Sequence, residues 1–209
     1  AGSLLFVNHF RRFSPLLVKW RRAVAEEGVL GRIQQASGYY AMGLYEMGTH
    51  LVDFLRWYLG EIAWVWGVKN RGAFTLFEGD ACVDGVLCFV EGARASIQSV
   101  DRRHFSMGEV RLLGEKGSLH IYDLGRTVEF VPARDSKLYS GFCELDYDCK
   151  EKRHEPPTES FFTPLLRNVV DCLDGTSVPL STGSDAVRVL EALDALRRSA
   201  GADGERIFL

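Results

Sequence analysis

Apolar positions recur with two different periods along the 209 residues. From Glu61 to Arg134 they alternate with polar ones in short runs broken by turn residues: EIAWVWGVKN, DACVDGVLCFVEG, ARASIQSVD, FSMGEVRLLG, GSLHIYDLG and RTVEFVPAR. A period of two places successive side chains on opposite faces of a strand, so this region predicts six strands in a meander. Glu91-Gly92 and Lys116-Gly117 mark tight reversals, which makes most neighbours antiparallel. In one run Val83, Gly85, Leu87 and Phe89 share a face, and Cys82, Asp84, Val86, Cys88 and Val90 share the other. Both faces are more apolar than a solvated sheet requires. One is expected under helices, and either could lie against a second subunit, because a broad exposed apolar sheet is a liability.

Outside this region the period lengthens to that of a helix. Ser14 caps a helix with Pro15 in its first turn and Leu16, Leu17, Trp20, Val24 and Ala25 as its apolar stripe, stopped by Gly28. Gly31 to Tyr40 fits a strand leading into a second helix, in which Leu51, Phe54, Leu55, Tyr58 and Leu59 are buried, Asp53 and Arg56 lie on other faces, and Gly60 is the stop. Asp135 to Thr158, with Pro156-Pro157, reads as a surface excursion with a strand around Gly141 to Asp148. Glu159 to Leu173 predicts a helix burying Phe161, Phe162, Leu165, Leu166, Val169 and Val170. Ser184 to Ala200 predicts another, capped by Ser184 and buried through Val187, Leu190, Leu193 and Leu196. Arg206 to Leu209 adds a last short strand, and Leu4 to Asn8 (LLFVN) has the all-apolar texture of a strand covered on both faces. The fold class is therefore α+β: a large, predominantly antiparallel open sheet with helices packed on one face.

Composition narrows the function classes. A hydrophobic content of 46% and a mean hydropathy of −0.05 describe an ordinary globular chain that can bury a sizeable core. The net charge of −3 gives no global attraction to nucleic acid or to anionic membranes. Residues 1–25 hold Arg11, Arg12, Lys19, Arg21 and Arg22 and no acid, which fits a site for phosphate or an acidic partner, but fits better the solvated face of a helix. Five cysteines without a C-x-x-C pair indicate neither a disulfide framework nor a zinc knuckle, and a reducing cytoplasm is the expected setting. No apolar run approaches the ~18–20 residues of a membrane span.

One stretch carries candidate chemistry, Tyr40 to Gly60 (YAMGLYEMGTHLVDFLRWYLG). Glu46 and His50 are four apart and fall on one side of a first helical turn begun by Met47, while Gly43 and Gly48 leave room for a close approach. His50 could serve as a general acid/base; a hydrogen-bonded structural histidine explains the same pattern, and spacing alone favours it. A zinc site is disfavoured, since the second histidine of H-E-x-x-H is missing. There is no dinucleotide fingerprint, because no two of the 21 glycines are separated by one residue, and no P-loop or G-x-S-x-G elbow.

Four segments point further: Arg11-Arg12-Phe13-Ser14-Pro15, Gly28-Val29-Leu30-Gly31-Arg32-Ile33, Glu46 through Trp57, and Asp174-Gly175 through Ser199. In this order and spacing the chain resembles the C-terminal domain of the Gfo/Idh/MocA oxidoreductases along nearly its whole length. The resemblance implies an α+β domain, residues 14–209, that partners an N-terminal Rossmann domain, with residues 1–13 as the remnant of the joining strand and connection. It implies hydride transfer between NAD or NADP and a hydroxyl carbon of a sugar, inositol or similar polyol. The cofactor would be held mainly by the missing Rossmann domain and not by this chain, whose isolated form is expected to be inactive. By the same resemblance His50 is the proton donor or acceptor, Glu46 the substrate-orienting carboxylate, and Arg11, Tyr40 and Tyr45 substrate-binding residues. The family usually has Asp at the position of Glu46 and a run of glycines where this chain has Ala41, Met42, Gly43, Leu44 and Tyr45, which reshapes the pocket. A homodimer or homotetramer through the sheet face is expected. The competing reading is a non-enzymatic module for self-association or protein binding.

Overall fold

The computed structural model describes residues 4–75, 77–155 and 162–209. Pro156-Pro157 and Phe161, assigned above to a loop and a helix stripe, lie outside the described residues.

Ten strands form one sheet in the order β10-β2-β3-β4-β1-β5-β6-β7-β8, with β9 also on β7. All six runs of alternation are strands: β2 (Ile62–Lys69), β3 (Val83–Phe89), β4 (Arg94–Val100), β5 (Gly108–Gly114), β6 (Gly117–Tyr122) and β7 (Thr127–Asp135). They form two meanders and not one. Strand β1 (Ile33–Ala41) lies between β4 and β5, parallel to the first and antiparallel to the second. The surface excursion returns as β8 (Cys143–Leu145) and β9 (Glu151–His154), both antiparallel to β7, and β10 (Ile207–Phe208) pairs with β2. The strand β9 was not legible because EKRH has no apolar alternation.

Helices α1 (Pro15–Ala25), α2 (Thr49–Leu59) and α4 (Gly183–Gly201) contribute with one face of the sheet to a single core. Ser14 caps α1 by accepting from Leu17 N–H, and Glu155, just past β9, accepts from Leu16 N–H at 2.9 Å and from the Ser14 hydroxyl. That places an acid at the positive end of the helix dipole and ties the end of β9 to it. Helix α2 ends at Gly60, whose φ of +84° only glycine adopts without strain. The cap of α4 is Thr182 in a reciprocal box with Asp185, and not Ser184. Its buried stripe runs through Val189, Ala192, Leu193, Ala195 and Leu196, so Val187 and Leu190 are about half exposed, contrary to the pattern reading. The stripe is set by the glycines it meets. Gly67 and Gly85 on β2 and β3 let Leu196 touch the backbone of the sheet.

Three further expectations fail. LLFVN is no strand: Leu4 and Leu5 are exposed, and Val7 N–H donates to the Ser181 carbonyl. In α3 (Phe162–Leu173) the buried side chains are Asn168 and Cys172, while Phe162, Leu166 and Val170 are more than half exposed. Asn168 decides this orientation, because its amide hydrogen-bonds Ser177 Oγ, the Val178 carbonyl and Leu180 N–H. Arg11 and Arg12 are buried and not on a solvated helix face; Asp53 and Arg56, off the apolar stripe of α2, are buried as well. One face of β3 is expected under the helices, and it is the face of Val83, Leu87 and Phe89, which leaves the opposite face open to a partner.

A methyl group at position 85 would collide with the Trp66 carbonyl and lie 2.9 Å from Leu196 Cδ2. Gly85→Ala is therefore expected to lower unfolding free energy by ~1–3 kcal/mol, read from urea midpoints, through overpacking of this seam.

Candidate functional site at the start of helix α2

Strand β1 ends at Ala41, and the chain then turns sharply into α2. Met42 has a φ of +72°, and Leu44 to Gly48 form a wide π-helical turn in which Met47 and Gly48 N–H both donate to the Gly43 carbonyl at 3.1 Å. The turn is held from outside by Asp80, whose carboxylate accepts from Tyr45 N–H at 3.0 and 3.2 Å. That carboxylate occupies the space a Cβ on residue 43 would need, so glycine is required there by a neighbouring acid and not by a ligand. The wide turn delivers His50 as the second residue of α2.

His50 lines a cleft with Arg11, Tyr39, Met47, Phe54, Gly108 and Glu109, among others, and the empty space in it, mouth included, is about 320 Å³. Burial, followed by the nearby positive charge of Arg11 and by His9, pushes the imidazole down to about 4. The ring is therefore neutral at neutral pH and has a lone pair to offer. It is fixed by ring contacts: Phe10 at 5.1 Å, and His9 edge-on at 6.0 Å with an interplanar angle of 84°.

One turn further along α2, Asp53 collects the polar groups beneath His50. Arg12 grips it with two parallel hydrogen bonds, Nε to Oδ2 at 3.0 Å and Nη2 to Oδ1 at 2.6 Å, and His9 Nδ1 lies 3.1 Å from Oδ1. Arg12 Nη1 continues to the Leu180 carbonyl at 3.2 Å and to Asp185 at 3.3 Å, so the network joins the turn at residues 10–13, α2 and the start of α4. Burial alone would raise the Asp53 pKa; the hydrogen bonds and charges of His9 and Arg12 win and hold it below the usual carboxylate range.

The residues singled out from the sequence are only partly brought together. His50, Arg11 and the Tyr40 ring line the same cleft. The Tyr40 hydroxyl is committed to Val83, donating to its carbonyl at 2.7 Å and accepting from its N–H at 2.9 Å. Tyr45 accepts from Arg197 Nε at 3.1 Å. Glu46 lies outside the cleft lining: burial raises its pKa, Arg102 opposes this and Asp80 adds to it, and its Oε2 is buried without a hydrogen-bond partner among the described residues. His9, Tyr39, Glu109 and Gly108 belong to the site and were missed. A signal for His9 was available, since His50 and Asp53 place two polar groups one turn apart on a helix otherwise apolar enough to be buried all round, which demands partners nearby. Among the described residues no group of three His, Cys, Asp or Glu side chains could hold a metal ion, and no helix is long and apolar enough to cross a membrane.

Residues 38–120, spanning β1, the π turn, α2 and the sheet as far as β6, match the profile described as the GFO/IDH/MocA C-terminal domain. The part of the chain that holds the cleft is similar to that domain. No curated protein matches the chain. Among solved structures, the fold is shared with the WlbA dehydrogenase from Bordetella pertussis, solved with NADH and UDP-GlcNAcA (22% identity, TM-score 0.70, 100% of this chain and 64% of that one). It is shared with the aldose-aldose oxidoreductase from Caulobacter crescentus, solved with glycerol (17% identity, TM-score 0.76, 100% and 64%). It is also shared with a super-repressor mutant of Gal80p from Saccharomyces cerevisiae (10% identity, TM-score 0.78, 99% and 66%). The chain thus spans about two thirds of the length of these proteins.

The buried network makes acid stability a direct readout. The unfolded state takes up a proton on His50 near pH 6.5, whereas the folded state resists until about 4, so stability falls as pH drops through that window. Asp53 extends the loss below its ordinary value of 3.8, where its folded form still holds the charge. His50→Gln is expected to flatten the thermal midpoint between pH 6.5 and 4. Asp53→Asn removes the buried charge that Arg12 grips with two hydrogen bonds, leaving it Asp185 alone, and is expected to cost ~3–5 kcal/mol at pH 7 in urea unfolding.

Proposed function

We propose that these residues form the substrate-binding and oligomerisation part of an NAD(P)-dependent oxidoreductase that acts on a hydroxyl of a sugar, inositol or similar polyol. The observation that carries this reading is His50: a neutral imidazole at the start of a buried helix, opening onto a cleft beside a guanidinium. Such a group accepts the proton of a substrate hydroxyl as the carbon is oxidised and returns it in the reverse direction. Arg11 and the Tyr40 ring line the pocket with it. The carboxylate of Glu46 and the hydroxyl of Tyr45 would meet substrate only after a movement of the π turn.

The cofactor does not fit on these residues. The strand-to-helix junction at the site has two glycines; the free space at Gly43 is filled by Asp80, that at Gly48 is met by Leu44 and Tyr40, and an acid there repels a pyrophosphate. NAD or NADP would be held by a nucleotide-binding domain outside these 209 residues, and the 209 residues alone would not turn over. In the full reading frame, NAD(P)-linked oxidation assayed across a panel of polyols is expected to fall at least ~100-fold in kcat for His50→Ala, the usual scale of a lost general acid/base. Normal turnover in that variant removes His50 from the chemistry.

The open sheet face supports a homo-oligomer. It presents Trp64, Trp66 and Val86 beside Arg94 and Arg206, with Arg206 stacked 4.3 Å from the Trp64 ring. Trp66 and Val68 remain more than a third exposed. Trp66→Glu is expected to shift sedimentation velocity from dimer or tetramer to monomer, and a chain that is already monomeric at high concentration counts against the interface. The same face favours the second reading, a non-enzymatic self-association or protein-binding module, and the likeness to a protein named as a repressor mutant shows that the fold is not confined to proteins named as dehydrogenases. A silent polyol panel together with an intact oligomer would select it.

A further inference from the structure

The two adjacent arginines at the site are partnered very differently. Arg12 is matched to Asp53 and Asp185. Arg11 is only 8% exposed, and among the described residues no carboxylate forms an ion pair with it. The nearest anionic influence is Asp53, whose oxygens are already taken by Arg12 and His9. What surrounds the Arg11 guanidinium is the Phe10 ring at 4.8 Å and two bare stretches of backbone, Gly108 and Gly125, where added methyl groups would sit 3.2 Å from Nη2 and 3.7 Å from Nε. Burial lowers its pKa to about 10 despite Asp53, and the group remains a cation at neutral pH. A buried cation without a counter-ion is expensive unless something supplies one. Arg11 lines the same cleft as His50.

We propose that the ligand of this cleft carries a carboxylate received by Arg11, which makes the substrate class a sugar acid or polyol acid and not a neutral polyol. This rests on reading the His50 cleft as the substrate site. The planar guanidinium matches a carboxylate through two parallel hydrogen bonds. A phosphate shares the charge but fits less well, since dianions are usually met by several cations or a nest of N–H groups, and here the second arginine is consumed by Asp53 while Glu109, paired with His120 at 3.2 Å, faces the cleft. A carboxylate on Arg11 also offsets one of the charges that keep His50 deprotonated, so binding reports on the imidazole.

The test uses matched pairs that differ at one carbon, D-glucuronate with D-glucose and D-gluconate with D-glucitol, plus glucose 6-phosphate, titrated into the chain at low salt while His50 is followed by imidazole NMR. At least one acid is expected to bind ten-fold or more tighter than its neutral counterpart and to raise the His50 pKa. The gap should vanish in Arg11→Gln and narrow in Arg11→Lys, which keeps the cation should the glutamine variant not fold. Equal binding within both pairs, tighter binding of the phosphate, or a gap that survives both variants overturns the assignment. Acids and neutral polyols that move His50 alike would sink the carboxylate and leave the site standing; if no ligand moves His50, the site reading falls with it.

Discussion

A single buried carboxylate, Asp53, determines how the parts of the site face one another. Its two oxygens receive Arg12 through a planar fork and His9 through Nδ1, and Arg12 reaches on to the Leu180 carbonyl and to Asp185 at the start of α4. Residues 9–12, α2 and α4 are remote in sequence and are brought together here. An ionic group in a low-dielectric interior tolerates little misplacement, because every lost hydrogen bond exposes an unpaired charge to that interior. The cluster therefore specifies geometry more than it adds stability. His50 inherits that geometry: it sits one turn before Asp53 and shares a ring contact with His9.

Much of the architecture was legible because it depends on local patterns. Alternation found all six strands from β2 to β7, and Ser14, Pro15 and Gly60 bounded their helices as the capping rules require. The failures share one cause, which is that a side chain's partner can be distant. Arg11 and Arg12 look like a solvated basic run until Asp53 and the cleft are placed beside them. The stripe Phe162, Leu166, Val170 looks buried until Asn168 is seen to turn α3 over. The insertion of β1 between two meanders has no sequence mark at all, since pairing of Gln35 with Arg94 is a long-range choice.

The site was legible to the same degree. The spacing of Glu46 and His50 drew attention to the right turn of helix, but it could not say that the turn is π-wound or that Asp80 caps it. That winding separates the pair functionally: His50 faces the cleft and Glu46 does not line it. Gly43 shows how one residue type can be misread, since it stands where a ligand could approach but the space belongs to the Asp80 carboxylate.

The parallel pairing of β1 with β4 also bears on the order in which the chain assembles. Each meander pairs strands that follow one another in sequence and can form early, whereas β1 must pair with β4 across the whole of α2, β2 and β3, and a loop of that length is costlier to close. The cleft lies where β1 runs into α2, at the last seam to shut. During synthesis or refolding, the two flanking half-sheets would exist before the segment that carries His50 is seated, with unpaired edges on β4 and β5 facing each other.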